Sequence, residues 1–212
     1  MAGEIIDKPT IVNMALVDLG HPPAYSTDDE TTLGGTVDRA WQLCVDHCAG
    51  LHDWTDFRRT TRLAPHSATP ENGWTYGFDL PGDRLGPPLK VLRSAGACED
   101  PLRDYALEGG SLYANEPAVW ARCKVYRDPK YWDGAWRAAF VKALASYLAV
   151  PLQQDFEARA EYWRVAFGSP SERGVGGMFG RLIAQDRAAS PVASPMHRQD
   201  PLTLAHGGGS LW

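Results

Sequence analysis

The residue types best suited to chemistry fall in one short run. Cys44, His47, Cys48 and His52 stand at i, i+3, i+4 and i+8, which brings several of them onto neighbouring positions of one helix. Thiolate and imidazole are zinc ligands, but structural zinc sites draw theirs from two knuckles of the CxxC kind, and no second knuckle is present. Cys44 and Cys48 also continue an apolar stripe through Trp41 and Leu51. The reading that follows is two core cysteines beside a partly exposed His47, with no metal; Cys98 and Cys123 read as free thiols as well. Just beyond, His52, Asp53 and Asp56 flank Trp54 and have the composition of an acid–base set, although loop and capping roles account for them. Arg58, Arg59 and Arg62 form a local basic patch. It reads as a solvated strand face paired with acidic neighbours, or as a contact for an acidic partner surface or passing DNA. GxSxG, HExxH, phosphate-loop and GxGxxG patterns do not occur. No catalytic residue and no cofactor are expected.

Helices must hold these residues. Leu33, Val37, Ala40, Trp41, Cys44, Val45, Cys48 and Leu51 recur at helical spacing, which predicts a helix over about 30–51, capped by Asp28 or Asp29. Ile11, Met14, Ala15, Val17 and Leu19 predict a shorter helix before it, with Pro9 in its first turn and Gly20 at its stop. Trp136, Ala139, Phe140, Ala143, Leu144, Tyr147 and Leu148 make one wide apolar face, capped by Asp133 and ended by Pro151. A further helix has the stripe Phe156, Ala160, Trp163, Phe167 and a stop at Gly168; a Gly-rich connector then leads to a short one in MFGRLIAQDRAA.

Between Trp54 and Arg127 the helical period disappears, and Pro, Gly, Asn and Asp punctuate short β-rich pieces. Tyr105–Leu107 and Leu112–Ala114 flank EGGS as a hairpin. Val119, Ala121, Cys123 and Val125 alternate against Trp120, Arg122, Lys124 and Tyr126 as a strand with two unlike faces. The expected class is therefore α+β, a helical bundle core with an inserted small antiparallel β subdomain and an extended C-terminal tail. The boundaries are 1–53 and 131–188 for the helical core, 54–130 for the insertion and 189–212 for the tail.

Composition supports a packed core in a chain of 212 residues, at 44% hydrophobic and 22% charged. A formal charge of −5 argues against a general nucleic-acid binder. No apolar run approaches the roughly 18 residues of a membrane span, and the N-terminus lacks the apolar core of a signal peptide. Synthesis in the cytoplasm with reduced cysteines is the expectation.

Several segments occur in a telling order: NMALVDLG at 13–20, HDWTDFRRTTRLA at 52–64, GWTYGFDLPGD at 73–83, YALEGGSLYAN at 105–115, AFVKALASYLAVPL at 139–152 and EYW at 161–163. Together they resemble the tail tubular protein A family, the head-to-tail adaptors of short-tailed bacteriophages. That family's pattern has an early AL-x-x-LG helix, a W-x-F-A-x-x-R-x-x-L segment, a W-x-Y-x-x-x-P-x-D segment, a hairpin and an F-x-x-A-L-A-x-x-LA helix. Here the second element reads Trp54, Phe57, Arg59 and Leu63, without the Ala after the Phe, and the likeness covers about residues 10–167. The chain from 168 onward departs from the pattern.

The resemblance implies a structural protein of the virion, made in the host cytoplasm. It would form a homo-oligomeric ring, typically of twelve copies, between the portal protein and the tail nozzle, with tail fibres as further contacts. Genomic DNA would pass through the lumen without specific binding; twelve copies at −5 each sum to about −60, which suits a conduit that does not hold its cargo. No catalytic, cofactor or metal residue is carried over. Leu202, Leu204, Leu211 and Trp212 in the tail are the expected docking residues toward the portal or a neighbour, since aromatic and aliphatic anchors dominate such contacts. The alternatives are another neck ring, either a head-completion or a tail-terminator protein, and a small ligand-binding module or enzyme.

Overall fold

The computed structural model describes residues 6–26, 32–95, 100–172 and 176–189. Five α-helices occur among them: α1 (Lys8–Asp18), α2 (Thr32–Gly50), α3 (Gly134–Gln153), α4 (Phe156–Phe167) and α5 (Gly177–Ala189). The seven strands β1 (Arg58–Arg62), β2 (Ala64–Pro65), β3 (Tyr76–Asp79), β4 (Lys90–Leu92), β5 (Tyr105–Glu108), β6 (Ser111–Ala114) and β7 (Trp120–Lys124) all fall between α2 and α3. The class is α+β: helices, an antiparallel insertion, then helices. Asp28, Asp29 and Cys98, and everything expected of the tail from Ser190 to Trp212, lie outside the described residues.

The helices start where side-chain acceptors satisfy their first N–H groups. Asp7 accepts from the Thr10 amide at 3.0 Å at the head of α1. Asp133 accepts from Ala135 at 2.8 Å at the head of α3, and Asp155 from Glu157 at 2.9 Å and Ala158 at 2.8 Å at the head of α4. α3 is the central element. Residues 139–141, 143–146, 148 and 149 are buried, so α3 is covered on more than the one wide face expected of it. It packs against α1, α2, α4 and α5.

Two sequence expectations for the helices need correction. Pro151 does not end α3 but sits in its last turn; the helix runs to Gln153 and closes on Gln154, whose φ is +55°. Proline lacks the N–H that would bond to the Tyr147 carbonyl, and packing of the preceding turns holds the backbone helical. The stripe Phe156, Ala160, Trp163, Phe167 is not one packed face either. Phe167 is buried and Trp163 half-buried, while Ala160 and Phe156 face outward. α4 meets the bundle through Ala158, Tyr162 and Ala166 together with Trp163 and Phe167.

The strands form two sheets, ordered β1-β7-β4 and β2-β3-β6-β5, every pair antiparallel. The hairpin is as expected, with Glu108 opposite Ser111 and Gly109–Gly110 between them at φ +56° and +87°. Two consecutive positive φ angles are the turn that matches strand twist, and glycine adopts them without strain. β7 alternates as expected, burying Ala121 and Cys123 while Trp120, Arg122 and Lys124 stay half-exposed. The strands enclose their own small core around Phe78, Val91, Leu112, Val119 and Cys123.

Leu144 has no exposed surface at the centre of α3. Leu144→Ala should lower the unfolding free energy by about 2–5 kcal/mol in chemical denaturation. Leu43→Ala, on an exposed position of α2, should change it by less than about 0.5 kcal/mol. Equal losses at the two sites would mean that the core is not organised on α3.

Candidate docking surfaces

The Cys–His run on α2 turns inward and knits helices together. Cys44 and Cys48 are fully buried, their Sγ atoms 3.9 Å apart. Burial, and then the neighbouring Cys44, push the Cys48 thiol up from its ordinary range. His47 points elsewhere: its Nδ1 lies 2.8 Å from the Tyr147 hydroxyl of α3, and its ring stacks on Phe167 of α4 at 4.6 Å. Desolvation lowers the His47 pKa, and burial pushes the Tyr147 hydroxyl up to about 12. Among the described residues, no group of three or more His, Cys, Asp or Glu side chains is placed to hold a metal. Two core thiols and a half-buried imidazole are what the helical stripe implied.

The second titratable set separates into three unrelated pairs. His52 Nε2 is 2.9 Å from Asp186 of α5, whose other oxygen accepts from the Thr55 amide at 3.2 Å. Asp53 lies 3.8 Å from Lys124 and Asp56 3.3 Å from Arg127. These pairs join the α2–β1 connection to α5, to β7 and to the chain leaving the sheet. Nothing local in the sequence links Asp186 to a histidine 134 positions away.

The three arginines lie on β1, an edge strand, and all are exposed. Alternation puts Arg58 and Arg62 on one face and Arg59 on the other, so they do not form a single patch. Arg59 pairs with Asp83 at 2.7 Å, Arg58 donates to the Asp53 carbonyl at 2.7 Å, and the Arg62 guanidinium lies 5.6 Å from the centre of the Trp120 ring. This is a solvated strand with local partners. Leu202, Leu204, Leu211 and Trp212 lie outside the described residues.

Among the described residues, two apolar surfaces on the helices stand out. A groove of about 610 Å³ runs between α1 and α3, walled by Met14, Val17, Ala138 and Val141 and flanked by the Lys142–Asp18 ion pair at 2.8 Å. Val17 is 56% exposed there. On α4, Phe156 is 67% exposed and sits with Arg159, Ala160 and Trp163 around a second, smaller recess. Neither surface was visible as such in the sequence, where the same residues count as helical core. Comparison with known proteins adds nothing to either: no protein-family model matches the chain, and no curated protein matches it.

The half-buried imidazole makes packing of α2, α3 and α4 sensitive to acid. The His47 pKa in the folded chain lies below the ordinary 6.5, so the folded state binds protons less readily than the unfolded one. Its contribution is complete above that value and is lost as pH falls through and below it. The thermal stability margin of the natural chain over His47→Phe should therefore shrink between about pH 7.5 and pH 5. A margin that grows on acidification would show that the imidazole gains, rather than loses, a partner on folding.

Proposed function

We propose that this chain is a structural head-to-tail adaptor of a phage virion, forming a ring between the portal and the tail nozzle and leaving a channel for DNA. The observation that carries the reading is the pair of unlike apolar surfaces on the helical body. One is a groove between α1 and α3; the other is the outward face of α4 with its protruding Phe156. A two-fold dimer buries one patch against itself, whereas a closed ring buries two different patches in every contact. Two unlike patches on one helical body meet that requirement. The order of sequence segments shared with the tail tubular protein A family points the same way.

The division of labour follows from the fold. The helical body is the wedge that tiles about twelve-fold, as the resemblance implies, and the β insertion, with its own small core, is left to meet nozzle or fibre components. The segment after Ala189 supplies the portal lashing, anchored by Leu202, Leu204, Leu211 and Trp212. A net charge of −5 per copy is consistent with a lumen that repels the passing genome.

Mixing the purified chain with portal and measuring particle mass tests this directly. Many copies per portal are expected; a single copy, or indifference to the portal, sinks the reading. Phe156→Glu and Val17→Glu should each leave the monomer's melting midpoint within a few degrees while lowering ring occupancy at least tenfold, since a charge buried in an apolar contact is costly. Removing residues 190–212 should spare folding and abolish portal docking. A truncated chain that docks as well as the full one would remove the tail from the account.

A further inference from the structure

Where the end of α5 meets the turn after α2 and the start of α3, the surface opens into a pocket of about 210 Å³. Four aromatic residues, Trp54, Phe57, Trp132 and Trp136, form its walls, and three carboxylates, Asp56, Asp133 and Asp186, share the lining. No lysine or arginine does. The rings are set at steep angles to one another. Trp132 and Trp136 have centroids 4.5 Å apart at 67°, Trp54 and Trp136 6.3 Å apart at 89°, and Phe57 and Trp136 5.1 Å apart at 65°.

The composition selects the occupant by charge. An anion would meet three carboxylates, and a purely apolar group would strip water from them without giving anything back. A cation gains from both features, since aromatic π systems and carboxylates each attract positive charge. Asp133 and Asp56 are only partly engaged, whereas both oxygens of Asp186 are in use. Asp133 uses Oδ2 for the Ala135 and Trp136 amides, Asp56 is 63% exposed and pairs with Arg127 at 3.3 Å, and Asp186 holds His52 and the Thr55 amide.

We propose that this pocket receives an alkyl-guanidinium group. A guanidinium is planar, sheds water more readily than an ammonium, and offers both a face to aromatic rings and a fork of donors to carboxylates. An arginine side chain on another polypeptide and a free small guanidine share that chemistry. The site does not depend on the ring reading, because it is complete within one chain.

Three of the eight tryptophans of the chain line the pocket, so their fluorescence is a direct readout. The full chain is titrated with agmatine, with a capped Gly-Arg-Gly peptide and with the same peptide carrying citrulline, the neutral isostere of arginine; calorimetry repeats each titration. Both guanidinium probes should saturate, and the citrulline peptide should bind about tenfold or more weakly. Asp56→Asn with Asp133→Asn should weaken the guanidinium probes at least about fivefold while keeping the melting midpoint, because asparagine caps a helix nearly as well as aspartate. Tighter binding of the peptide assigns the site to an arginine side chain, and equal binding to small guanidines as well; the proposal stands in either case. It is overturned if no probe saturates, if citrulline binds as well as arginine, or if the double variant binds undiminished.

Discussion

The structure depends on keeping one cluster of aromatic rings out of water. Trp136, in the first turn of α3, has ring neighbours on every side: Trp54, Phe57, Trp132, Phe140 and Phe179, all with centroids within 6.3 Å. Trp41 of α2 closes the cluster against Trp132 at 5.8 Å and Phe140 at 5.0 Å. Each ring buries a large area, and edge-to-face geometry adds a directional term that aliphatic contacts lack. Rings from α2, the α2–β1 connection, α3 and α5 must therefore meet at one place. That requirement brings together segments more than a hundred residues apart and fixes where the chain may leave the bundle.

The β insertion leaves and returns at that place. Its first strand begins one residue after Phe57, and its last strand pairs with the first, Arg58 opposite Lys124. Because the two stems hydrogen-bond to each other, the insertion is closed at its neck and can keep its own core without loosening the bundle. Lys124 strengthens the neck by reaching into the helical body, where its Nζ donates to the Ala49 carbonyl at 3.0 Å. A cation at the C-terminal end of α2 also opposes the negative end of that helix dipole. The side chain comes from the half-exposed face of β7, the face that plain alternation would assign to solvent.

How much was legible follows from which interactions are local. Helix positions, the cap at Asp133, the Gly109–Gly110 hairpin and the two faces of β7 all depend on residues within a few positions, and so are legible in the sequence. Strand pairing does not. β1 against β7 and β3 against β6 join residues tens of positions apart, and the order β2-β3-β6-β5 has no local signature. The surface of α4 shows the same limit from another side. Phe156 and Ala160 continue a helical stripe as faithfully as Phe167 does, but hydrophobic spacing cannot tell a face packed on its own bundle from one left open. His52 and Asp186 form the sharpest case, since the carboxylates beside the histidine in sequence are Asp53 and Asp56, and its partner comes from a distant helix.

The aromatic cluster and the guanidinium pocket are the same packing seen from inside and from outside. Completing the cluster requires α5, whose Phe179 stacks on Phe167 at 5.3 Å and meets Trp136 at 5.7 Å. α5 is a short helix whose buried residues are Phe179 and Ile183, both in its first half. Its second half is held through Asp186, by His52 and the Thr55 amide, and the pocket lies between that half and the tryptophans. An occupant bound there would touch the bundle through Trp132 and Trp136, the neck of the insertion through Trp54 and Phe57, and α5 through Asp186. Its binding energy would be spent on the one place where all three meet. On a chain proposed to sit between two other assemblies, that is where a contact made on one side could be felt on the other, because the helical body and the β insertion share this joint and the paired neck beside it.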